Sequence, residues 1–299
     1  MISINHYKRC DLCPRECKAD RTNSVGFCGM SDKIVAAKAM VHYGEEPCIS
    51  GTGGSGAVFF TGCILGCKFC QNHKISQGKF GKEISIDRLS EIYISLQEKN
   101  VHNINLVSAT QFTPSVLMSL ERAKDKLNIP VVWNTGGYEK TSVIDEISKY
   151  CDIFLQDIKF FDPQISNNYA KCKDYFKYAI KATEEMVNIV GEPIFDEEGI
   201  MKKGVIVRHL VLPSNRKDSI SVLSALKSAV GTDKVVLSLM SQYTPPSFKL
   251  DYKELNRRLT TFEYKSVCEH AFELGFLGYF QDMESAQSTY TPIFDLSGL

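Results

Sequence analysis

The alternation of short apolar runs with longer segments of helical periodicity constrains the fold of this chain most. Residues 103–107, 130–134 and 204–212 have the length and β-branched content of buried strands. Residues 86–97 and 175–190 repeat apolar side chains every three or four positions, as amphipathic helices do. About six such β–α units in series predict parallel strands and an α/β fold, a partial (β/α)6 TIM-like barrel. A flat doubly wound sheet is the competing layout, and in both cases ligands bind at the carboxyl ends of the strands.

Residues 1–50 do not follow this alternation, and we expect them to form a separate cysteine-rich cap on a barrel that spans residues 51–299. The chain carries 35 basic and 35 acidic side chains, which gives no reason to expect nucleic acid or an anionic membrane as a partner. No apolar run approaches the roughly 20 residues of a membrane helix, and residues 1–6 lack the features of a signal peptide. We therefore expect a cytoplasmic protein.

A cysteine-rich loop directly follows the first predicted strand. Cys63, Cys67 and Cys70 have the spacing Cys-x3-Cys-x2-Cys, and we call them the loop cysteines. A 4Fe–4S cluster normally takes one thiolate on each iron, so three thiolates on one loop leave one iron open for chemistry. The alternatives are a structural zinc ion, or a fully ligated cluster that borrows a distant cysteine. The sequence thus predicts an oxygen-sensitive iron–sulfur site.

Four other cysteines fall near the start of the chain. Cys10, Cys13, Cys17 and Cys28 have the spacing Cys-x2-Cys-x3-Cys-x10-Cys, and we call them the cap cysteines. In a reducing compartment, clustered thiols indicate a metal rather than disulfides. Zinc ribbons usually combine two Cys-x2-Cys pairs and only one is present here, so a second 4Fe–4S cluster is favoured over structural zinc. A second cluster could relay an electron, whereas zinc would only hold the cap to the barrel.

The three-cysteine loop, with Phe69 before Cys70, resembles the radical S-adenosylmethionine (SAM) superfamily. Residues 10–17, 26–29 and 208–213 are similar to pyruvate formate-lyase activating enzyme-like proteins. The resemblance implies that SAM chelates the open iron and that the backbone around Phe69 lies against its adenine. It also implies that one electron cleaves the sulfonium and that the resulting 5′-deoxyadenosyl radical abstracts hydrogen from the substrate.

The resemblance assigns further SAM contacts to predicted strand ends. Asp157 and Lys159 match an Asp-x-Lys pair that contacts the methionine portion of SAM. Ser108 and Thr110 stand in the place of a Gly-Gly-Glu segment that meets its amino group. Asn134 stands where activating enzymes carry an acidic residue near the ribose. Hydrogen bonds from these side chains can replace the missing charges, so we expect SAM binding to be kept.

The candidates for catalytic contact with the substrate are Arg208 and Tyr243. Arg208 matches an arginine that faces the substrate in activating enzymes, and Tyr243 follows a later predicted strand end. His209 is the neighbour of Arg208 within an apolar run, where an unpaired charge would be costly. We therefore expect a ligand or carboxylate partner for the one that faces inward. His209 is interpreted as a cofactor contact or as a neutral core histidine.

The predicted function is hydrogen abstraction from a protein or peptide, as in enzymes that place a glycyl radical on a partner. A low-potential donor such as flavodoxin or ferredoxin would supply the electron. One alternative is a radical modification of a small molecule or RNA, and the balanced charge argues against RNA. The alternative from another class is a non-enzymatic iron–sulfur electron carrier, in which protein ligands would occupy every iron.

Overall fold

The computed structural model describes residues 2–283 and 292–299. The strands in these residues are β1 (Ile34–His42), β2 (Ser55–Phe60), β3 (Lys82–Ile84), β4 (Ile104–Val107), β5 (Val131–Thr135), β6 (Ile153–Asp157), β7 (Ile194–Phe195), β8 (Met201–Leu210), β9 (Val236–Met240) and β10 (Gly278–Phe280). The helices are α1 (Pro47–Ser50), α2 (His73–Ser76), α3 (Ile86–Gln97), α4 (Thr113–Ala123), α5 (Thr141–Ile147), α6 (Pro163–Ala170), α7 (Tyr175–Val190), α8 (Arg216–Val230) and α9 (Thr261–Leu274). Among the described helices, none is both long and apolar enough to cross a bilayer.

The parallel strands follow one another in chain order, as β2, β4, β5, β6, β8, β9 and β10. A doubly wound sheet reverses its strand order, whereas a (β/α) barrel does not. Within the described residues, β10 does not pair with the strands at the other edge, so the sheet stays open. The prediction of a partial TIM-like barrel is confirmed, with seven parallel strands in the described residues instead of six.

Alternation along the strands separates two apolar layers, because successive side chains point to opposite faces of the sheet. Trp133, Phe154 and Val205 are fully buried beneath the outer helices. Val132 and Ile153, one residue before Trp133 and Phe154, belong to a second cluster that faces the barrel interior. Each fully buried aliphatic or aromatic side chain contributes roughly 1.5–3 kcal/mol relative to an exposed one, so both layers stabilise the fold.

The segment between β1 and β2 closes one end of the barrel interior. His42 at the end of β1 pairs with Ser55 at the start of β2, so the chain leaves β1 at the amino ends of the parallel strands. From there, α1 places Cys48 and Ile49 against Val132 and the other inward-facing apolar residues. The boundary of the cap near residue 50 stays a prediction, and β1 within that range is paired with the barrel sheet.

Residues 292–299 run along β1, next to the edge strand β3. The Leu296 N–H donates to the Ala37 carbonyl (3.1 Å), and the Ala39 N–H donates to the Ser297 carbonyl (3.0 Å). Phe294 is buried against Ala37 and its neighbours on the inner side of β2. This C-terminal segment therefore covers part of β1 that β3 leaves unpaired.

Candidate active site

The barrel interior holds a cavity of about 520 Å3 at the carboxyl ends of the parallel strands. This volume lies within the range of roughly 300–1,000 Å3 that small-molecule sites occupy. All three loop cysteines line the cavity, together with residues at the carboxyl ends of β2, β4, β5, β6, β8 and β9. The other predicted site residues in its wall are Phe69, Ser108, Thr110, Asn134, Asp157, Lys159 and Arg208.

The loop cysteines follow β2 on a turn that hydrogen bonds hold from outside. The side-chain amide of Gln111 donates to the carbonyls of Thr61 (2.9 Å) and Gly62 (3.2 Å). Two sulfurs accept hydrogen bonds, Cys63 from the Leu65 N–H and Cys70 from the Ser76 hydroxyl, both at 3.4 Å. Burial raises the pKa of the Cys67 and Cys70 thiols, so neither is a reactive free thiolate, and metal binding would deprotonate them.

Asp157 and Lys159 form an ion pair at the end of β6, with side chains that are only 20% and 22% exposed. Burial lowers the pKa of Lys159, but the Asp157 carboxylate beside it outweighs burial, and the net pKa is raised. The main-chain N–H of Lys159 also donates to the Tyr175 hydroxyl at 2.9 Å. The pair thus offers a fixed ammonium and a fixed carboxylate beside the loop cysteines.

Ser108 and Thr110 are held at the end of β4 by buried polar groups. Ser108 has φ +58°, and its N–H donates to the Asn134 carbonyl at 2.8 Å. The Thr110 and Thr135 hydroxyls both donate to one carboxylate oxygen of Glu139, which is fully buried. Burial raises the pKa of Glu139 to about 7, although these hydroxyls lower it in part. Sequence reasoning missed Glu139, and its only signal was its position four residues after β5 ends at Thr135.

Arg208 meets carboxylates of its own chain. Its Nε and one terminal nitrogen donate to the two carboxylate oxygens of Glu46, at 2.7 and 2.6 Å, and the same nitrogen donates to Glu45. Glu45 also accepts from the Asn105 side-chain amide at 2.8 Å. The expectation of a carboxylate partner is therefore met within the barrel, and the guanidinium is not free for a substrate carboxylate. The sequence did not predict that Glu45 and Glu46 reach this level of the interior.

His209 and Tyr243 lie outside the cavity wall formed by the described residues. His209 is 1% exposed, its Nδ1 lies 2.6 Å from the Ile158 carbonyl, and burial lowers its pKa to about 4. It matches the neutral core histidine of the two interpretations. The Tyr243 hydroxyl donates to the Leu255 carbonyl at 2.7 Å, and its ring contacts the ring of Phe69 edge-on. Tyr243 therefore packs behind a wall residue rather than facing the cavity.

The cap cysteines line a second, smaller cavity beside the first. Ile64 and Gln111 are part of both cavity walls. Within residues 2–283 and 292–299, no three His, Cys, Asp or Glu side chains lie close enough together to hold one metal ion. In an iron–sulfur cluster each thiolate binds a different iron, so the ligands need not converge on a single ion. Both cysteine groups are compatible with such clusters.

The chain belongs to the radical SAM superfamily. The family described as "Radical SAM superfamily" matches residues 57–202, which contain the loop cysteines and the strand ends as far as Asp157 and Lys159. This family implies an enzyme that uses a 4Fe–4S cluster and SAM. The residues present fit both groups, because three thiols and a fixed ammonium–carboxylate pair face one cavity of suitable size. The predicted superfamily is confirmed.

Three relatives show the extent of the similarity. The chain is 31% identical over 278 residues to the uncharacterized protein MJ0674 of Methanocaldococcus jannaschii, across 90% of this chain and 76% of that protein. A domain of pyruvate-formate lyase-activating enzyme from Bacteroides vulgatus matches 57% of this chain and 92% of its own, at 10% identity and TM-score 0.42. Streptococcus suis SuiB bound to precursor peptide SuiA matches 75% of this chain and 48% of its own, at 14% identity and TM-score 0.51. The likeness to SuiB shows a common fold, and the chain spans about half of SuiB.

Proposed function

We propose that this protein is a radical SAM enzyme that abstracts hydrogen from a protein or peptide substrate. The loop cysteines would hold the 4Fe–4S cluster, and the 520 Å3 cavity would hold SAM. The observation that carries the proposal is the convergence of three thiols and the polar strand ends on this one cavity. When bound, the cluster and SAM supply a 5′-deoxyadenosyl radical, which is the chemistry that the protein side chains lack.

The strand-end residues bind and orient the methionine portion of SAM. Lys159 presents an ammonium for the carboxylate of SAM, and Asp157 presents a carboxylate for its amino group. The Thr110 hydroxyl proton is directed to Glu139, so its oxygen is left to accept a hydrogen bond from SAM. Asn134 of β5 pairs with Val107, the residue before Ser108, and lies in the cavity wall. Its side chain can hydrogen-bond the ribose.

Aromatic packing around Phe69 excludes water from the adenine side of the cavity. The Phe69 ring is surrounded edge-on by the rings of Phe160, Tyr169 and Tyr243, with centroid distances of 6.0–6.2 Å. Such contacts add about 0.5–1.5 kcal/mol per pair beyond area burial, so the wall is rigid. A rigid, dry wall protects a radical from side reactions with solvent.

A peptide or protein substrate is the part of the proposal that depends on relatives. SuiB of Streptococcus suis, which has a similar fold, is bound to its precursor peptide SuiA in a solved structure. In this chain, the neutralisation of Arg208 by Glu45 and Glu46 disfavours a phosphate-rich substrate such as RNA. A polypeptide substrate needs no such cation.

The decisive experiment measures SAM cleavage without oxygen. Reconstituted protein is reduced with dithionite and mixed with SAM, and 5′-deoxyadenosine is quantified. The comparison is with a variant in which all loop cysteines are changed to Ala, and Cys268→Ala, a half-buried cysteine on α9, is the matched control. We expect product from the wild type and the control and none from the triple variant. A reducible, fully occupied cluster that cleaves no SAM would instead indicate an electron carrier.

The substrate is tested separately with co-expressed candidate partners. A glycyl radical protein incubated with the reduced enzyme and SAM is expected to gain a doublet signal in electron paramagnetic resonance. SAM cleavage without that signal for any candidate partner would retain the radical assignment and reject glycyl radical activation.

A further inference from the structure

A buried arginine lies next to the cap cysteines. Arg21 is 1% exposed, and its guanidinium lies over the ring of Tyr7 at 4.8 Å. It donates to the main-chain carbonyls of Met30 (3.0 Å), Gln111 (2.7 Å) and Ser31 (2.5 Å). These carbonyls satisfy its hydrogen bonds but do not cancel its charge.

No carboxylate within the described part of the chain forms an ion pair with Arg21. Among the ion pairs formed by residues 2–283 and 292–299, none involves Arg21 or Arg15, the half-buried arginine of the same segment. A buried charge without an opposite charge is strongly unfavourable, so proteins pair it with a group of opposite charge. The counter-charge of Arg21 must therefore come from something other than Asp or Glu in the described part of the chain.

The groups around Arg21 that can carry negative charge are thiols. One guanidinium nitrogen lies 3.7 Å from the Cys10 sulfur. A Cβ atom on Gly26 would lie 3.2 Å from Cδ of Arg21, 3.4 Å from the Cys17 sulfur and 3.5 Å from the Cys28 sulfur. Both arginines and all four cap cysteines line the same small cavity.

We propose that the cap cysteines bind an anionic tetrathiolate metal centre whose charge is balanced by Arg21 and Arg15. Four thiolates around an oxidised 4Fe–4S core leave two net negative charges, which match the two guanidinium groups. Four thiolates around Zn2+ carry the same charge, but within the described residues the sulfurs would have to move to converge on one ion. Both kinds of centre are dianions, and metal analysis distinguishes a cluster, which contains iron and sulfide, from zinc. The inference does not require SAM cleavage and would survive failure of the proposed function.

The same two arginines connect this centre to the active-site loop. Arg15 donates from Nε to the Ile64 carbonyl at 2.9 Å, between Cys63 and Cys67. Arg21 binds the carbonyl of Gln111, and the side chain of Gln111 holds Thr61, Gly62 and Ser108. Filling the cap therefore fixes two groups that support the loop cysteines, which makes Arg21 and Arg15 positioning residues.

The test uses the full chain with all loop cysteines changed to Ala, so that only the cap metal is counted. Iron, sulfide and zinc per chain are measured first. The melting temperature of the protein that keeps Arg21 is then compared with that of its Arg21→Met variant, each with and without metal. We expect Arg21→Met to lower the melting temperature of the protein with metal bound. The melting temperature of the metal-free protein should stay the same or rise. Arg9→Met, an exposed change beside Cys10, is the matched control and should not distinguish the two forms.

A chelator competition keeps the inference testable if the metal-free variants do not fold. We expect Arg21→Met to bind the metal at least tenfold more weakly, and Arg21→Lys, which keeps the charge, to lose less. If the metal is iron, Arg21→Met should also move the midpoint potential to more negative values, because reduction adds negative charge. A chain without metal at the cap cysteines, or equal effects of Arg21→Met on loaded and metal-free protein, would overturn the inference.

Discussion

At the scale of single residues, Glu139 couples the protonation of one carboxyl group to two hydroxyls beside the cavity. It is fully buried and accepts from Thr110 and Thr135, and within the described residues its second oxygen has no hydrogen-bond partner. Only Thr110 among these was predicted to contact SAM. The orientation of that hydroxyl therefore depends on a carboxyl group that is 29 residues away in sequence.

Glu139 should make stability depend on pH. Its pKa is raised from 4.5 to about 7, so the folded state keeps its proton over a range in which the unfolded chain has lost it. The contribution of Glu139 to stability is therefore fully present below about pH 4.5 and is lost as the pH rises through about 7, by on the order of 3 kcal/mol. Urea unfolding of the loaded protein between pH 5 and 8 should show this slope, and Glu139→Gln should flatten it. An unchanged slope in Glu139→Gln, with the exposed Glu91→Gln as control, would contradict this assignment.

Arg208 should contribute to stability through Glu45 and Glu46. Its side chain is 14% exposed and those of the two glutamates 7% and 5%. Removing one partner of a buried ion pair leaves an uncompensated charge and costs about 3–5 kcal/mol. We expect Arg208→Met to lose that amount in chemical denaturation, and Arg208→Met combined with Glu45→Gln and Glu46→Gln to recover most of it. A triple variant as unstable as the single one would show that Arg208 acts in another way.

The sequence indicated which residues lie together where their positions follow from local spacing, and missed contacts between residues from distant parts of the chain. The loop cysteines and Asp157 with Lys159 belong to one loop or one strand end, so a strand prediction places them together. Glu45 and Glu46 reach Arg208 across more than 160 residues, because α1 closes the barrel end. No periodic pattern in the sequence indicates that contact.

At the scale of elements, long periodic helices were predicted well and short edge strands were not. The helices at 86–97 and 175–190 have the bounds that the apolar pattern indicated, and Gly275 ends α9 in the left-handed conformation. β3 and β10 have only three residues each, too few for a period of two to show. β1 was assigned to the cap because it precedes the β–α alternation, although it pairs antiparallel with β2.

Two glycines in the cysteine loop allow the contact between loop and cap to be tested. Gly62 has φ +82°, and a Cβ there would lie 2.4 Å from Cγ of Met30 and 2.8 Å from the Cys28 carbonyl. Gly66 has φ +63° and no heavy atom of the described residues within 4 Å of such a Cβ. Both Ala substitutions carry a backbone cost of about 1–2 kcal/mol, but only Gly62→Ala also separates the loop from the cap.

We therefore expect Gly62→Ala to bind less iron per chain and to melt at a lower temperature than Gly66→Ala. Iron analysis after identical reconstitution, with calorimetry on both variants, measures the difference. Equal losses in the two variants would show that the contact between Gly62 and the cap does not support the loop.

At the scale of the whole molecule, the open sheet and the cap divide the work of building one site. The barrel supplies the strand ends that face the cavity, and the parallel arrangement of its strands was predictable from the alternation alone. The cap supplies Arg15 and Arg21, whose bonds to Ile64 and Gln111 hold the loop from outside. The sequence indicated metal in the cap but did not show that cap and loop share a wall.

The return of residues 292–299 to β1 has a consequence for how the protein behaves when it is shortened. The Ser297 carbonyl accepts a hydrogen bond from the Ala39 N–H, and the Leu296 N–H donates to the Ala37 carbonyl. A Cβ on Gly298 would lie 2.1 Å from the Ala39 carbonyl oxygen. Without this segment, an apolar strand would present free N–H and C=O groups at the surface, which is a template for pairing with another chain. Forms shortened before this segment should therefore self-associate and precipitate, and they should also lose Pro292 from the wall of the cavity.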